Sequence, residues 1–328
     1  MDDPLGTRTL RISVFSNLGL FFVKGALAMS SGSAAMYAST LYSLSNSVNN
    51  VLSLFGLKMS SRPADTEHPF GYGKEIYFWS FVASVFMLGF ASTGSISQGY
   101  TQIVEQQAVT TSIWPIIVLA LALVYECFLL KNTISLIAKS FGSFSIKNDL
   151  RRFKRYNNPI NKMLFLQCTA AVIGTVVSFA AILITRWSGS YLFDGIASII
   201  VGLILGSMAL VQAYQLKDMI IGRSCNPSTT QLIGDLAMKV PGVTDICEIK
   251  TMYMGSQSLL INMEIQVKCN LRIDEVDDVV NEVEKTIKLN LCTVEHINIE
   301  TVADDRIQGW NRKTVSQLKT KNALREFV

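Results

Sequence analysis

Six long apolar runs lie within the first 222 residues of this 328-residue chain. A helix needs about 20 consecutive, mostly apolar residues to cross a bilayer. The six segments that meet this length cover residues 11–30, 34–57, 75–100, 112–134, 161–185 and 191–216. The sequence therefore predicts an α-helical integral membrane protein with six transmembrane helices.

The composition is typical of a membrane protein, but it averages over two parts of the chain that differ. The chain is 49% hydrophobic and 16% charged, with a mean hydropathy of +0.34, whereas soluble domains carry about 25% charged residues. Beyond residue 222 the apolar runs stop and the sequence is typical of a soluble domain. We expect a transmembrane domain at 1–222, a cytoplasmic α/β domain at 223–305 and a polar C-terminal tail at 306–328.

Basic residues give the orientation in the membrane. Counted only at and next to the span ends, up to Arg223, fifteen lysines and arginines lie on one side of the membrane, and Arg186 is the only one in the three loops on the other side. By the positive-inside rule, both termini face the cytoplasm. The cluster at 147–155 has two interpretations, as a topology determinant or as a contact with anionic membrane lipids. The membrane could be that of the cell or of an organelle.

The soluble part shows alternating helical and strand patterns. Ser228 is expected to cap the first helix, which Pro241 and Gly242 end. Alternation of apolar and polar residues predicts the strands, and an apolar face predicts the second helix. The predicted elements are a helix from 228 to 240, strands at 244–253 and 258–268, a helix at 273–289 and a strand at 294–302. This order, αββαβ, predicts a ferredoxin-like domain with both helices on one face of the sheet.

Five groups of motif residues lie along the chain. They are Arg62-Pro63-Ala64-Asp65 with His68-Pro69-Phe70-Gly71-Tyr72-Gly73-Lys74-Glu75, Ser31-Gly32-Ser33, Tyr77-Phe78-Trp79-Ser80, Asp194-Gly195-Ile196-Ala197-Ser198-Ile199 and Val240-Pro241-Gly242-Val243. Over nearly its whole length the chain resembles the cation diffusion facilitator family, also called cation efflux or zinc transporters. The resemblance implies homodimeric exporters of zinc, manganese, iron or cobalt that usually exchange the metal for protons, with the cytoplasmic domain at the dimer interface.

The resemblance also locates the transport site. The family places a His or Asp and a second Asp four residues later in span two, on one helix face, opposite a similar pair in span five. The matching positions here are Tyr42 and Asn46 in span two, and either Leu164 with Cys168 or Phe165 with Thr169 in span five. These positions contain no carboxylate or imidazole, and Cys168 offers a single thiolate, which leaves a zinc ion under-coordinated. The central metal site is therefore altered.

Polar side chains nevertheless follow both spans. The residues are Tyr42 and Asn46 in span two, and Gln167, Cys168 and Thr169 in span five. In one interpretation, the two sets face each other and line a hydrated pathway for a cation. In the alternative interpretation, these side chains form hydrogen bonds that hold the membrane helices together.

Glu126 is a carboxylate deep in span four. Acids within the membrane are functional candidates, so Glu126 joins the predicted transport pathway as a counter-charge or proton carrier. The alternative is a structural partner for a buried hydroxyl or for Lys24 in span one. Lys24 itself is expected to extend to the outer interface, and Gly202 and Gly206 in span six are expected to allow close helix packing.

Asp65 and His68 match two of the three ligands of a peripheral metal site in some relatives, and Tyr72 occupies the third position. Two ligands make a weak site. Asp65 is equally consistent with a turn, and His68 with a loop contact.

The residues and the resemblance together predict a divalent-cation transporter that exports Zn²⁺, Mn²⁺ or Fe²⁺ from the cytoplasm. The alternative is a non-transporting relative that acts as a dimerisation partner, scaffold or sensor. We expect a homodimer, or a heterodimer with an active paralogue, with no resident cofactor and no nucleic-acid partner. The soluble domain shows no nucleophilic triad and no phosphate-binding loop, so we do not expect an enzyme.

Overall fold

The structure, a computed structural model, describes residues 5–106, 112–139, 159–256 and 258–303. The chain divides into two compact units. One, which we call the membrane unit, comprises Met1–Lys58 and Tyr77–Lys217; the other, which we call the cytoplasmic unit after its predicted location, comprises Met59–Ile76 and Asp218–Val328. The basic cluster at 147–155 and the predicted tail at 306–328 lie outside the described residues.

The described residues contain six long helices, each of which overlaps one of the six predicted spans. Their bounds are α1 Leu5–Ser31, α2 Ala34–Ser60, α3 Glu75–Glu105, α4 Trp114–Lys139, α5 Pro159–Ser188 and α6 Leu192–Ile221. Five of them are long and apolar enough to cross a membrane by length and composition. The sixth, α2, has 27 residues and is rich in serine and asparagine, and it does not reach that apolarity. Helix α3 contains a π-helical segment at Met87–Ser92.

Glycines bring α3 and α6 together. A Cβ added to Gly202 would lie 2.7 Å from the Ile96 side chain, and one added to Gly206 would lie 2.6 Å from Ser92 Oγ. The Ser92 hydroxyl uses this proximity to donate a hydrogen bond of 2.8 Å to the carbonyl of Gly202. The predicted role of Gly202 and Gly206 in close helix packing is confirmed.

The described part of the cytoplasmic unit contains a three-stranded sheet with two helices. The elements are α7 Pro227–Ala237, β1 Val243–Tyr253, β2 Leu259–Val267, α8 Ile273–Asn290 and β3 Val294–Ala303. Strand β2 lies in the middle, antiparallel to β1 and parallel to β3. The predicted αββαβ order is confirmed. The predicted Ser228 cap is wrong, because the helix begins at Pro227 with Asn226 before it, and proline is well suited to the first helical position, where its missing N–H is not needed.

The core of this unit follows from the repeat of two residues in a strand and of about four residues in a helix. Alternate residues of β2 are buried on one face, and residues of α8 four apart are buried against them. The most buried members are Ile233, Ile246, Leu259, Ile261, Met263, Ile265, Val283 and Ile287. Both helices contribute to this single core, which places them on the same face of the sheet as predicted.

The motif-bearing loop after α2 belongs to the cytoplasmic unit. The ring of Phe70 packs edge-on against His296 with 5.5 Å between centroids. Lys74 Nζ donates a hydrogen bond to the carbonyl of Ile220 at 3.4 Å. Gly73 packs so closely against Met254 that an added Cβ would lie 2.4 Å from its carbonyl oxygen. The sequence places this loop between two spans and gives no sign of these contacts.

Candidate cation site

Helix α2 buries a long polar stripe inside the membrane unit. Its buried polar residues are Ser39, Thr40, Ser43, Ser45, Asn46, Ser47, Asn49 and Asn50. Three of the hydroxyls donate to carbonyls one turn earlier in the same helix, Thr40 to Met36, Ser43 to Ser39 and Ser47 to Ser43. A hydroxyl bonded to its own helix needs no partner on another helix. These three residues therefore do not act as hydrogen-bonding links between helices.

Tyr42 and Asn46 do bond to another helix. The Tyr42 hydroxyl donates to the backbone carbonyl of Gln167 at 3.1 Å, and the Gln167 amide donates to Asn46 Oδ1 at 2.8 Å. Tyr42 and Asn46 are 7% and 8% exposed. Gln167 is therefore the residue of α5 that meets the two family positions of α2, which neither predicted pair identifies by itself.

The next residue of α5 meets a third helix. Cys168 Sγ lies 3.6 Å from the hydroxyl of Thr133 on α4, which also donates to the Leu129 carbonyl at 3.0 Å. The Thr169 hydroxyl donates to the carbonyl of Phe165 in its own helix at 2.8 Å. Sequence reasoning missed Thr133, because a lone threonine in an apolar span carries no distinguishing pattern. The side chain of Leu164 lies outside the described part of the chain.

We call Tyr42, Asn46, Thr133, Gln167 and Cys168 the polar layer. It joins α2, α4 and α5 through amide, hydroxyl and thiol groups. All five side chains are neutral at pH 7 in their ordinary ionisation states. Such a layer offers a divalent cation oxygen and sulfur atoms but little charge compensation, whereas zinc sites are built from His, Cys thiolate, Asp and Glu.

Glu126 and Lys24 form a buried ion pair elsewhere in the membrane unit. Lys24 Nζ lies 3.8 Å from Glu126 Oε1, and the two residues are 0% and 7% exposed. The prediction that Lys24 extends to the interface is wrong, since an opposite charge lies within reach inside the membrane unit. The alternative prediction, that Glu126 has Lys24 as a partner, is confirmed.

Asp65, His68 and Tyr72 lie together in the exposed loop. Asp65 Oδ1 accepts hydrogen bonds from the backbone N–H groups of Glu67 and His68, at 3.0 and 2.7 Å, and Oδ2 accepts one from Tyr72 at 2.8 Å. These bonds, led by that of Tyr72, lower the pKa of Asp65. His68 Nδ1 lies 3.8 Å from Asp65 Oδ1. The geometry is that of a turn organised by an aspartate.

Within the described ranges, no group of three or more His, Cys, Asp and Glu side chains could hold a metal ion. This includes Asp65 and His68, whose third position is the tyrosine.

Comparison with known families places the chain. The family model for the cation efflux transmembrane domain matches residues 10–216, and the model for the cation efflux protein cytoplasmic domain matches residues 226–301. The chain belongs to the cation diffusion facilitator family. This family consists of transporters, and its transmembrane domain makes the chain an integral membrane protein.

Relatives differ in how much of their length the chain covers. The mitochondrial proton-coupled zinc antiporter SLC30A9 of Xenopus laevis is 27% identical over 273 residues, which is 80% of this chain and 48% of that relative. Metal tolerance protein C4 of Arabidopsis thaliana is 24% identical over 81% of this chain and 58% of the relative. The cation-efflux pump FieF of Shewanella oneidensis is 23% identical over 82% of this chain and 84% of the relative. The chain thus spans about half the length of the first two.

Proposed function

We propose that this cation diffusion facilitator carries a divalent metal cation, Zn²⁺, Mn²⁺ or Fe²⁺, out of the cytoplasm in exchange for protons. The observation that carries the proposal is the bond of 2.8 Å between Asn46 and Gln167. This bond brings polar groups of α2 and α5 together inside predicted membrane spans. Polar side chains are energetically unfavourable there and are kept mainly where a function requires them. The relatives named as a zinc antiporter and a cation-efflux pump support the same class of substrate.

The path runs through the polar layer and past Thr169 and Glu126. Carbonyl, amide and hydroxyl oxygens replace part of the water shell of the cation, and the Cys168 sulfur adds a soft ligand. Because the layer lacks a carboxylate, it holds a divalent ion weakly. We therefore expect transport with a low affinity for zinc.

We further propose that both termini face the cytoplasm and that the cytoplasmic domain pairs two chains. The domain has about 80 residues, and domains of that size bury a limited core when alone. Pairing with an identical chain or with a paralogue would add to the buried apolar surface.

Metal uptake by proteoliposomes that contain only the full chain tests the transport proposal. Zn²⁺, Mn²⁺ and Fe²⁺ are supplied separately, with and without a pH gradient, and a fluorescent indicator inside reports their entry. We expect at least one metal to enter faster with the gradient, and Gln167→Leu to slow that entry. The matched control is Ser207→Ala, which removes an exposed hydroxyl bonded to the Ile204 carbonyl of its own helix. Absence of gradient-driven entry of all three metals would instead identify a non-transporting partner or scaffold.

A further inference from the structure

The ion pair between Lys24 and Glu126 is incomplete as a structural contact. The charged atoms lie 3.8 Å apart, which is beyond the range of a charge-assisted hydrogen bond. Lys24 Nζ and Glu126 Oε2 are both buried without a hydrogen-bond partner among the described residues. A buried ion pair offsets its desolvation cost only if further hydrogen bonds satisfy both groups, so this pair is poorly explained as a device for stability alone.

Two levels of contact between α4 and α5 separate this pair from the polar layer. At one level Thr133 meets Cys168. Seven residues back along α4 and seven residues on along α5, the packing of these neighbouring helices places Glu126 at the level of Thr175, whose hydroxyl acts on the carboxylate as a hydrogen-bond donor. Both steps are seven residues long, and seven helical residues span about 10 Å. Glu126 therefore lies at a different depth from Cys168 and belongs to a second site.

The second site is lined by oxygen atoms and carries one negative charge. Glu126 provides the carboxylate and Thr175 provides a hydroxyl. Ser178, three residues further along α5 and on the same helix face, is fully buried, and its hydroxyl has no partner among the described side chains. Oxygen ligands and a single carboxylate match the charge of a monovalent cation better than that of a divalent one.

We propose that Glu126 and Thr175 form a monovalent-cation site and that the Lys24 ammonium is its built-in occupant. The ammonium carries one positive charge on a flexible four-carbon chain and reaches the carboxylate from α1. Bound in this way, Lys24 neutralises Glu126 without an ion from solution. It also links α1 to α4, so a free cation can enter this site only by displacing Lys24.

Removing the ammonium tests the proposal, because it should turn a filled site into an empty one. Lys24→Ala leaves a cavity beside Glu126, and small cations such as methylammonium or Na⁺ should then bind there. The thermal unfolding midpoint of the purified full chain in detergent is measured in methylammonium chloride, NaCl and N-methylglucamine chloride at equal concentration. N-methylglucamine is too large for the cavity and controls for ionic strength.

We expect Lys24→Ala to unfold at a lower temperature than the wild type and to recover most of that loss in methylammonium or Na⁺ but not in N-methylglucamine. The wild type and Lys24→Arg, whose sites are filled by the chain, should respond equally to all three salts. The matched control is Lys24→Ala combined with Glu126→Gln, which keeps the cavity without the charge and should show no recovery.

If Lys24→Ala cannot be purified in a folded form, Lys24→Gln provides the same comparison with a smaller cavity. Equal midpoints of the neutral Lys24 variant in all three salts would overturn the proposal. A selective response of the wild type to the small cations would also overturn it, since the site would then not be occupied by Lys24.

Discussion

The carboxylate of Asp194, in the first turn of α6, accepts a hydrogen bond of 2.6 Å from the hydroxyl of Ser33, which precedes α2. It accepts a second bond, of 2.5 Å, from the backbone N–H of Ala34. The first N–H groups of a helix lack partners within the helix, and a negative charge near the N-terminus of a helix is favourable. The Asp194 carboxylate meets both needs at the N-terminus of α2. Asp194 thus ties α6 to the helix that carries Tyr42 and Asn46.

Loss of this carboxylate should destabilise the membrane unit. Asp194 is fully buried, so Asp194→Ala leaves the Ser33 hydroxyl and the Ala34 N–H without their acceptor. Unsatisfied buried groups of this kind cost about 1–3 kcal/mol. We expect a lower thermal unfolding midpoint for the full chain in detergent. The control is Asp235→Ala on the exposed face of α7, and an equally small effect of both substitutions would contradict the capping role.

The contact of α3 with α6 predicts an intolerance of larger residues at Gly206. Gly206→Ala would bring Cβ to 2.6 Å from Ser92 Oγ, which forces the helices apart or the serine to another rotamer. Overpacking of this kind costs about 1–3 kcal/mol. The measurement is the fraction of protein that elutes as a single species after heating.

The control for Gly206 is Gly19→Ala on α1, where no described atom lies within 4 Å of the added Cβ. We expect this variant to be as stable as the wild type or more so, because alanine is the better helix former. Combining Gly206→Ala with Ser92→Gly should restore part of the loss. If Gly206→Ala is neutral by itself, the contact is looser than the structure indicates.

Local pattern was enough to predict the helices, the αββαβ order and the neutral character of the polar layer, because periodicity and residue type are written in the sequence. The exceptions depend on residues distant along the chain. Lys24 stays inside the membrane unit because Glu126, 102 residues later, is within reach. The role of Asp194 as a cap 160 residues from Ala34 could not be derived from spacing within one helix. Gln167 was among the residues expected to face Asn46, but the choice of Gln167 as its direct partner depends on how α2 and α5 pack.

The loop bond between Tyr72 and Asp65 predicts a pH effect. The Tyr72 hydrogen bond is the largest cause of the lowered pKa of Asp65, so Tyr72→Phe should raise that pKa toward its ordinary value. A carboxylate with a lowered pKa in the folded state contributes stability above its unfolded-state pKa, and this contribution is lost as the pH falls through the folded-state pKa. The variant should therefore lose loop order at a higher pH on acidification.

Carbon-13 NMR of the aspartate carboxyl carbons follows the Asp65 titration directly. Tyr100→Phe is the control, since Tyr100 is an exposed tyrosine of α3 and should leave the Asp65 titration unchanged. An unchanged midpoint in Tyr72→Phe would mean that the backbone bonds alone hold the carboxylate.

The polar layer supports a final prediction, that zinc affinity can be created by restoring charge. Asn46 Oδ1 and Gln167 Nε2 lie 2.8 Å apart, so Asn46→Asp with Gln167→His places a carboxylate and an imidazole within reach of one ion. Tyr42→Asp adds a second carboxylate from one turn earlier on the same face of α2. Two carboxylates and an imidazole provide three of the four ligands that zinc prefers.

The triple variant should be less stable than the wild type without metal, because ionised groups inside a membrane are costly. A ligand that binds only the folded state stabilises it by about 2.7 kcal/mol at 100 times its Kd, so zinc should raise the unfolding midpoint of this variant selectively. Magnesium, which prefers octahedral oxygen ligands, controls for divalent charge, and Asn46→Leu with Gln167→Leu controls for loss of the amide bond. If zinc stabilises the wild type as strongly as the triple variant, the neutral layer is already a competent zinc site and the expectation of weak binding is wrong.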